Sequence, residues 1–178
     1  MKRCSWCGGD EFYIKYHDEE WGVPVRDDRK LFEFLILEGA QAGLSWITIL
    51  KKREAYRETF YDWDFERVAR YTEKDIERLM GDAGIVRNRL KIMSAVRNAK
   101  VFVEIRDEFG SFSDYLWGFV DGIPVIGDGS LTESELSLEI SVDLKKRGMS
   151  FVGATIVYAF LQAVGVVNGH EDGCFRKI

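Results

Sequence analysis

Residues 31–54 read LFEFLILEGAQAGLSWITILKKRE, and the fold turns on how this stretch is parsed. The run from Leu31 to Leu37 is apolar on nearly every side, which suits a helix buried inside a bundle rather than one lying on a surface. We place that helix over Arg29–Glu38 and the next over Ser45–Phe60, with Gly39 and Gly43 bracketing a short turn. Glu38 lies three, four and seven residues after Leu35, Phe34 and Leu31, so it shares their core-facing side. A carboxylate there is paired, protonated or open to a cavity, unless the helix frays and lets it reach water before Gly39. Leu44 falls near the tip of the turn and Trp46 in the first turn of the following helix. Such an arrangement presents an apolar wedge beside a pocket, or is an ordinary helical hairpin packed on its neighbours.

Outward from this segment, apolar residues recur at spacings of three and four with few alternating runs, and only two prolines interrupt the chain. The spacing predicts further helices over Phe65–Arg70, Glu73–Met80, Asn88–Phe109, Phe112–Phe119, Glu133–Arg147 and Thr155–Val164, an all-α helical bundle. Thr72 and Asp75 form a capping box, and Thr132 caps the helix after it. Asp121 to Ser130, with Pro124 and three glycines, is the longest loop. With 178 residues, 46% of them hydrophobic, one domain spanning 1–178 is expected. No signal segment and no stretch near the ~20 apolar residues of a membrane span is seen, so the expectation is a cytoplasmic protein without membrane contact.

The net charge of −5 argues against an unspecific nucleic-acid binder, whose affinity comes from phosphate neutralisation. Local clusters matter more for a specific one, and three occur: Lys51-Lys52-Arg53, Arg87 with Arg89 and Lys91, and Lys145-Lys146-Arg147. In DAGIVRNRLKI, a glycine-centred turn at Gly84 leads into a helix start with three basic residues. That pattern can aim N–H groups and charge at a phosphate.

The cysteines and histidines gather at the chain ends: Cys4, Cys7 and His17 at one, His170 and Cys174 at the other. Zinc takes four thiolate and imidazole ligands in a closed structural site. Cys4, His17, His170 and Cys174 would supply one set, and Cys4, Cys7, His170 and Cys174 another; the spacing is compatible with both. Either would close a very long loop. Trp6, Tyr13, Tyr16, Trp21 and Trp46 exceed what one short segment needs for packing. They are core residues, or the walls of a pocket for a flat base drawn out of a helix.

The strings YHDEEWGVP, LFEFLILEGAQAGLSWITILKKRE, DAGIVRNRLKI and KKRGMSFVGATI, followed by the closing His-x3-Cys, resemble in order and spacing the 3-methyladenine DNA glycosylase I family. The likeness covers essentially the whole chain. It implies a helix-hairpin-helix DNA glycosylase that excises 3-methyladenine from double-stranded DNA and releases the free base, with a structural Zn2+ joining the ends of a monomeric chain. Carried over residue by residue, the zinc ligands are Cys4, His17, His170 and Cys174, leaving Cys7 out. Glu38 is the catalytic residue and hydrogen-bonds the adenine edge, with Tyr16 also bonding it, Trp46 stacking on it, and Trp6, Tyr13 and Trp21 lining the wall. Gly43 and Leu44 fill the gap left by the flipped nucleotide, while Gly84, Arg87 and Arg89 hold the backbone. Because alkylation makes the base a cationic leaving group, little catalytic push is needed, and neither Asp107 nor Asp114 is assigned the role of an activating aspartate. The family pattern departs at GDGSLTESELSLEI and in the short tail after Cys174. The competing reading is a zinc-stabilised helical DNA-binding module without activity, and Glu38 among aromatics is what separates the two.

Overall fold

In a computed structural model, residues 1–128 and 130–177 are described. Among them the chain forms nine α-helices: α1 Glu11–Glu19, α2 Asp28–Gln41, α3 Trp46–Thr59, α4 Phe65–Ala69, α5 Glu73–Gly81, α6 Arg89–Phe109, α7 Phe112–Gly118, α8 Glu135–Lys146 and α9 Ala154–Ala163. The all-helical expectation therefore holds. No described helix is long and apolar enough to cross a membrane.

The central element is α2. Every residue from Leu31 to Ala40 is buried, and α3, α6, α7 and α9 pack around it. Asp27 caps its first turn by accepting the N–H of Lys30 at 2.9 Å, and Asp28 accepts the N–H groups of Phe112 and Ser113 at 3.0 and 2.9 Å. One aspartate thus ties the start of α2 to the start of α7. Next to this junction Phe102 stacks on Phe112, with ring centroids 4.0 Å apart, and meets Phe32 edge-on at 5.3 Å.

Four sequence expectations need correction. The helix over Arg29–Glu38 runs on to Gln41, so Gly39 is a helical residue rather than a turn residue. The helix expected over Glu133–Arg147 begins at Glu135. Its cap is Ser134, in a reciprocal box with Ser137, and not Thr132. The segment Glu11–Glu19, unassigned from the sequence because it is polar with scattered aromatics, is helix α1, begun by Asp10 accepting the N–H of Phe12. Finally, the loop around Pro124 contains β1, Val125–Ile126, which pairs in parallel with β2, Val167–Asn168; Gly129 of that loop lies outside the described residues. The Thr72–Asp75 capping box is present as expected.

Candidate active site

Five elements converge on a cavity of about 320 Å³, within the range of small-ligand sites. A short 3-10 turn, Ser5–Cys7, contributes Trp6; α1 contributes Tyr13 and Tyr16, three residues apart on one face; Trp21 follows α1. From α2 come Glu38 and Gln41, again three apart, from the start of α3 comes Trp46, and from α9 come Ala159 and Gln162. All six residues expected in the pocket are in its wall. Gln41, Ala159 and Gln162 were not foreseen. A polar residue on the otherwise apolar α9 was the signal for Gln162, and the i, i+3 relation to Glu38 was the signal for Gln41.

The aromatic walls are set at angles to one another rather than stacked. Trp6 meets Tyr13 at 5.7 Å and Trp21 at 5.0 Å, both edge-on, and Tyr16 is 5.5 Å from Trp46 at 49°. Ring faces that do not cover each other remain available to a flat guest. The Tyr13 hydroxyl accepts the N–H of Ile47 at 3.1 Å, pinning the first turn of α3 and with it Trp46.

Glu38 is only 5% exposed, which disposes of the frayed-end alternative: α2 continues for three residues beyond it. Among the hydrogen bonds of the described residues none engages its carboxylate, and burial pushes its pKa up to about 8. Burial, followed by the adjacent Glu38 charge, pushes the Tyr16 phenol well above its ordinary value. Among the described residues the buried indole N–H of Trp46 has no hydrogen-bond partner either. A carboxyl with no protein partner in an aromatic cavity is costly unless something completes it. The arrangement favours a planar, cationic guest.

Beside the cavity the chain turns between α2 and α3. Gly43 adopts φ +77°, a left-handed conformation that a side chain would strain. Leu44 donates its N–H to the Gln41 carbonyl at 2.7 Å, and the Gln41 amide returns a bond to the Leu44 carbonyl at 2.7 Å. Leu44, 38% exposed, is thereby held outward.

The second turn, Asp82–Asn88 between α5 and α6, is anchored on α3. Gly84 approaches so closely that a Cβ would come within 2.7 Å of the Ala55 Cβ, Val86 donates to the Tyr56 hydroxyl at 3.2 Å and Thr59 donates to Asp82 at 2.9 Å. The basic clusters are more committed than their sequence suggested. Arg87 is exposed, whereas Arg89 is ion-paired with Glu73 and Lys91 turns inward onto α2. Arg53 is drawn into a network with Glu20 and the buried Glu33, at 2.8 and 2.7 Å, which Lys30 completes. Arg147 pairs with Glu108 and Asp143.

At the chain ends, one donor atom from each of Cys4, His17, His170 and Cys174 lies within 4.8 Å of the others, and all four residues are buried. Cys4 Sγ is 3.4 Å from His170 Nδ1, and Cys174 Sγ is 3.4 Å from His17 Nε2. Two thiols and two imidazoles brought this close are a donor set that suits a borderline-soft metal. The free nitrogen of His17 is hydrogen-bonded to Asp18 at 2.8 Å, Asp18 is gripped by Arg3, and the sulfurs of Cys4 and Cys174 accept the N–H groups of Glu171 and Arg176. Such outer contacts orient imidazoles and support thiolates. Cys7 is outside the set, its thiol donating to the Cys4 carbonyl at 3.1 Å.

Comparison with known proteins places this geometry in context. A family model described as methyladenine glycosylase matches residues 6–177. The chain is 48% identical, over 98% of its length and 96% of the relative's, to DNA-3-methyladenine glycosylase 1 of Escherichia coli K12. It is 45% identical, over 97% and 96%, to DNA-3-methyladenine glycosylase of Haemophilus influenzae Rd. A solved structure of 3-methyladenine DNA glycosylase I from Staphylococcus aureus, described as the basis of 3-methyladenine recognition, is 40% identical. It superposes with a TM-score of 0.95, the match covering 100% of this chain and 97% of that one.

Proposed function

The chain belongs to the methyladenine glycosylase family, and from that premise we propose that it excises 3-methyladenine from alkylated DNA by hydrolysing the N-glycosidic bond, as the first step of base excision repair. The observation that carries the reading at this site is Glu38, buried in an aromatic cavity with no hydrogen bond among those described.

Methylation at N3 gives adenine a positive charge while it is still attached to the sugar. The guest that enters the cavity is then a flat cation, and Glu38 is the group that gains from its arrival. Two unit charges about 4 Å apart attract by roughly 4 kcal/mol at an effective dielectric constant of ~20. Neutral adenine has nothing to offer the carboxylate and must leave the stack of the duplex as well. Tyr16 bonds the base edge, Trp46 stacks on its face, and Trp6, Tyr13 and Trp21 close the wall. Leaving as a neutral molecule, the base needs little acid assistance. The same carboxylate stabilises positive charge that develops on the sugar as the bond breaks, and water completes the hydrolysis.

No lysine is among the described residues lining the cavity, so no Schiff base forms and the product is an abasic site in an intact strand. On the DNA side, Gly43 and Leu44 enter the gap left by the flipped nucleotide, and the α5–α6 hairpin, with Gly84 and the exposed Arg87, holds the backbone in the manner of a helix-hairpin-helix element. Arg89 reaches a phosphate only by sharing itself with Glu73. Cys4, His17, His170 and Cys174 would hold a structural Zn2+, which supplies cohesion between the chain ends and no chemistry.

Incubating the protein with methylated duplex DNA and measuring free base tests the reading. We expect 3-methyladenine to be released without strand cleavage, and Glu38→Ala and Trp46→Ala to lose most of the rate. Release at an undiminished rate by both variants would mean that the pocket is wrongly assigned.

A further inference from the structure

Two lysines lie between the turn carrying Leu44 and the hairpin carrying Gly84. Lys91, in the first turn of α6, donates from Nζ to the carbonyls of Ala40 at 2.8 Å and Ala42 at 2.6 Å. These oxygens belong to the last turn of α2 and its cap, where the helix has no N–H groups left to satisfy them and its dipole is negative. Lys52, on α3, donates from Nζ to the carbonyls of Ala83 at 2.8 Å and Gly84 at 3.4 Å. The helix leaving each turn therefore braces the other turn. Burial pulls the Lys91 ammonium below its ordinary pKa, an effect that its two carbonyl bonds oppose. The Lys91 backbone is itself fixed, its N–H donated to the Asn88 cap at 3.2 Å. On the other side of the turn, Gln41 joins the Leu44 carbonyl to the cavity wall.

We infer that Lys91 and Lys52 are positioning residues that lock the Leu44 turn and the Asp82–Asn88 hairpin into one rigid unit, so that gripping the backbone and inserting Leu44 occur in register. The inference rests on the reading of these turns as the DNA-facing elements. It removes both lysines from the set of phosphate contacts to which their charge would assign them, and it makes their contribution specific to bases that must be forced out of a pair. Loss of a lysine that sat on a phosphate would weaken binding on every substrate and would reduce the salt dependence of binding by about one counterion.

The test compares wild type, Lys91→Met and Lys52→Met in single-turnover release of 3-methyladenine from two methylated duplexes. In one the reacting adenine is paired with thymine; in the other it stands opposite an abasic site, where no partner resists extrusion. Each variant is expected to slow release from the paired duplex about tenfold or more, and to act on the unpaired duplex within about twofold of wild type. Affinity for free 3-methyladenine, read by tryptophan fluorescence, and the slope of DNA affinity against salt should both be unchanged. Equal losses on the two duplexes would overturn the inference, marking a phosphate contact if the salt slope falls and a general stabiliser of the fold if it does not. Undiminished release from the paired duplex would overturn it too. Should a methionine variant melt below the assay temperature, the corresponding glutamine variant, which keeps an amide donor for the same carbonyls, takes its place. Failure of the wild type to release base from either duplex would instead refute the glycosylase reading.

Discussion

Replacing Glu38 by glutamine keeps the shape of the side chain and removes its ability to ionise. Burial raises this carboxyl from 4.5 to about 8, a difference of roughly 5 kcal/mol at ~1.36 kcal/mol per pH unit. The folded protein holds the proton more tightly than the unfolded chain does, so the native state loses stability as pH rises. The loss begins near 4.5, grows by about 1.4 kcal/mol per pH unit, and levels off above about 8. At pH 7 the Glu38→Gln protein should accordingly be about 3 kcal/mol more stable than wild type, and at pH 9 about 5 kcal/mol. At pH 4 the two should coincide. Urea unfolding at those three pH values measures the gap directly. Base release by the same variant should fall, because the attraction that offsets the burial cost in the presence of a cationic base is gone. A gap that stays constant from pH 4 to pH 9 would refute the reasoning, since it would show that Glu38 does not titrate in this window.

Two further outcomes are expected. Metal analysis of protein purified with zinc should find one ion per chain in wild type and Cys7→Ser, and none in Cys4→Ser or His17→Ala; loss of the ion from Cys7→Ser would restore the Cys4–Cys7 knuckle as ligands. Arg53→Met removes the guanidinium from the buried Glu33 and should cost about 3 kcal/mol in urea unfolding, at the lower end for a broken buried pair because Lys30 still reaches Glu33 at 2.8 Å. The double change with Glu33→Leu should recover much of that loss.

The parts of this protein legible in the sequence were those that local spacing encodes. Glu38 could be placed on a core face by counting back to Leu31, and the turn at Gly43 announced itself. The box at Thr72 needed only four residues. What escaped were interactions between residues far apart in the chain. Arg53 looked like one of three solvated basic residues, and nothing near it shows that Glu33 and Glu20 are its partners. Lys91 looked like a phosphate ligand because its helix-start position suits one; only the fold brings the end of α2 to its ammonium. Strand β1 is two residues long and its partner lies 42 positions away, beyond the reach of any periodicity. Helix α1 was missed for another reason. Its pattern is set by the aromatic pocket on one side and by solvent on the other, so the usual apolar stripe is replaced by Tyr13, Tyr16 and His17. The pocket residues themselves required the family resemblance, since aromatics in a short segment equally suit a core.

Tyr16 and His17 are neighbours in α1, one in the cavity wall and one in the Cys/His cluster, while Cys174 Sγ stands 3.4 Å from His17 and the Phe175 N–H bonds the Lys2 carbonyl at 3.0 Å. The cavity wall in α1 thus takes part of its anchorage from residues more than 150 positions away that line no part of the cavity. Loosening of residues 170–175 reaches Tyr16 through His17 in the same helix, while Glu38 and Trp46 stay held by α2 and α3, so a local opening far from the cavity changes base recognition without unfolding the bundle.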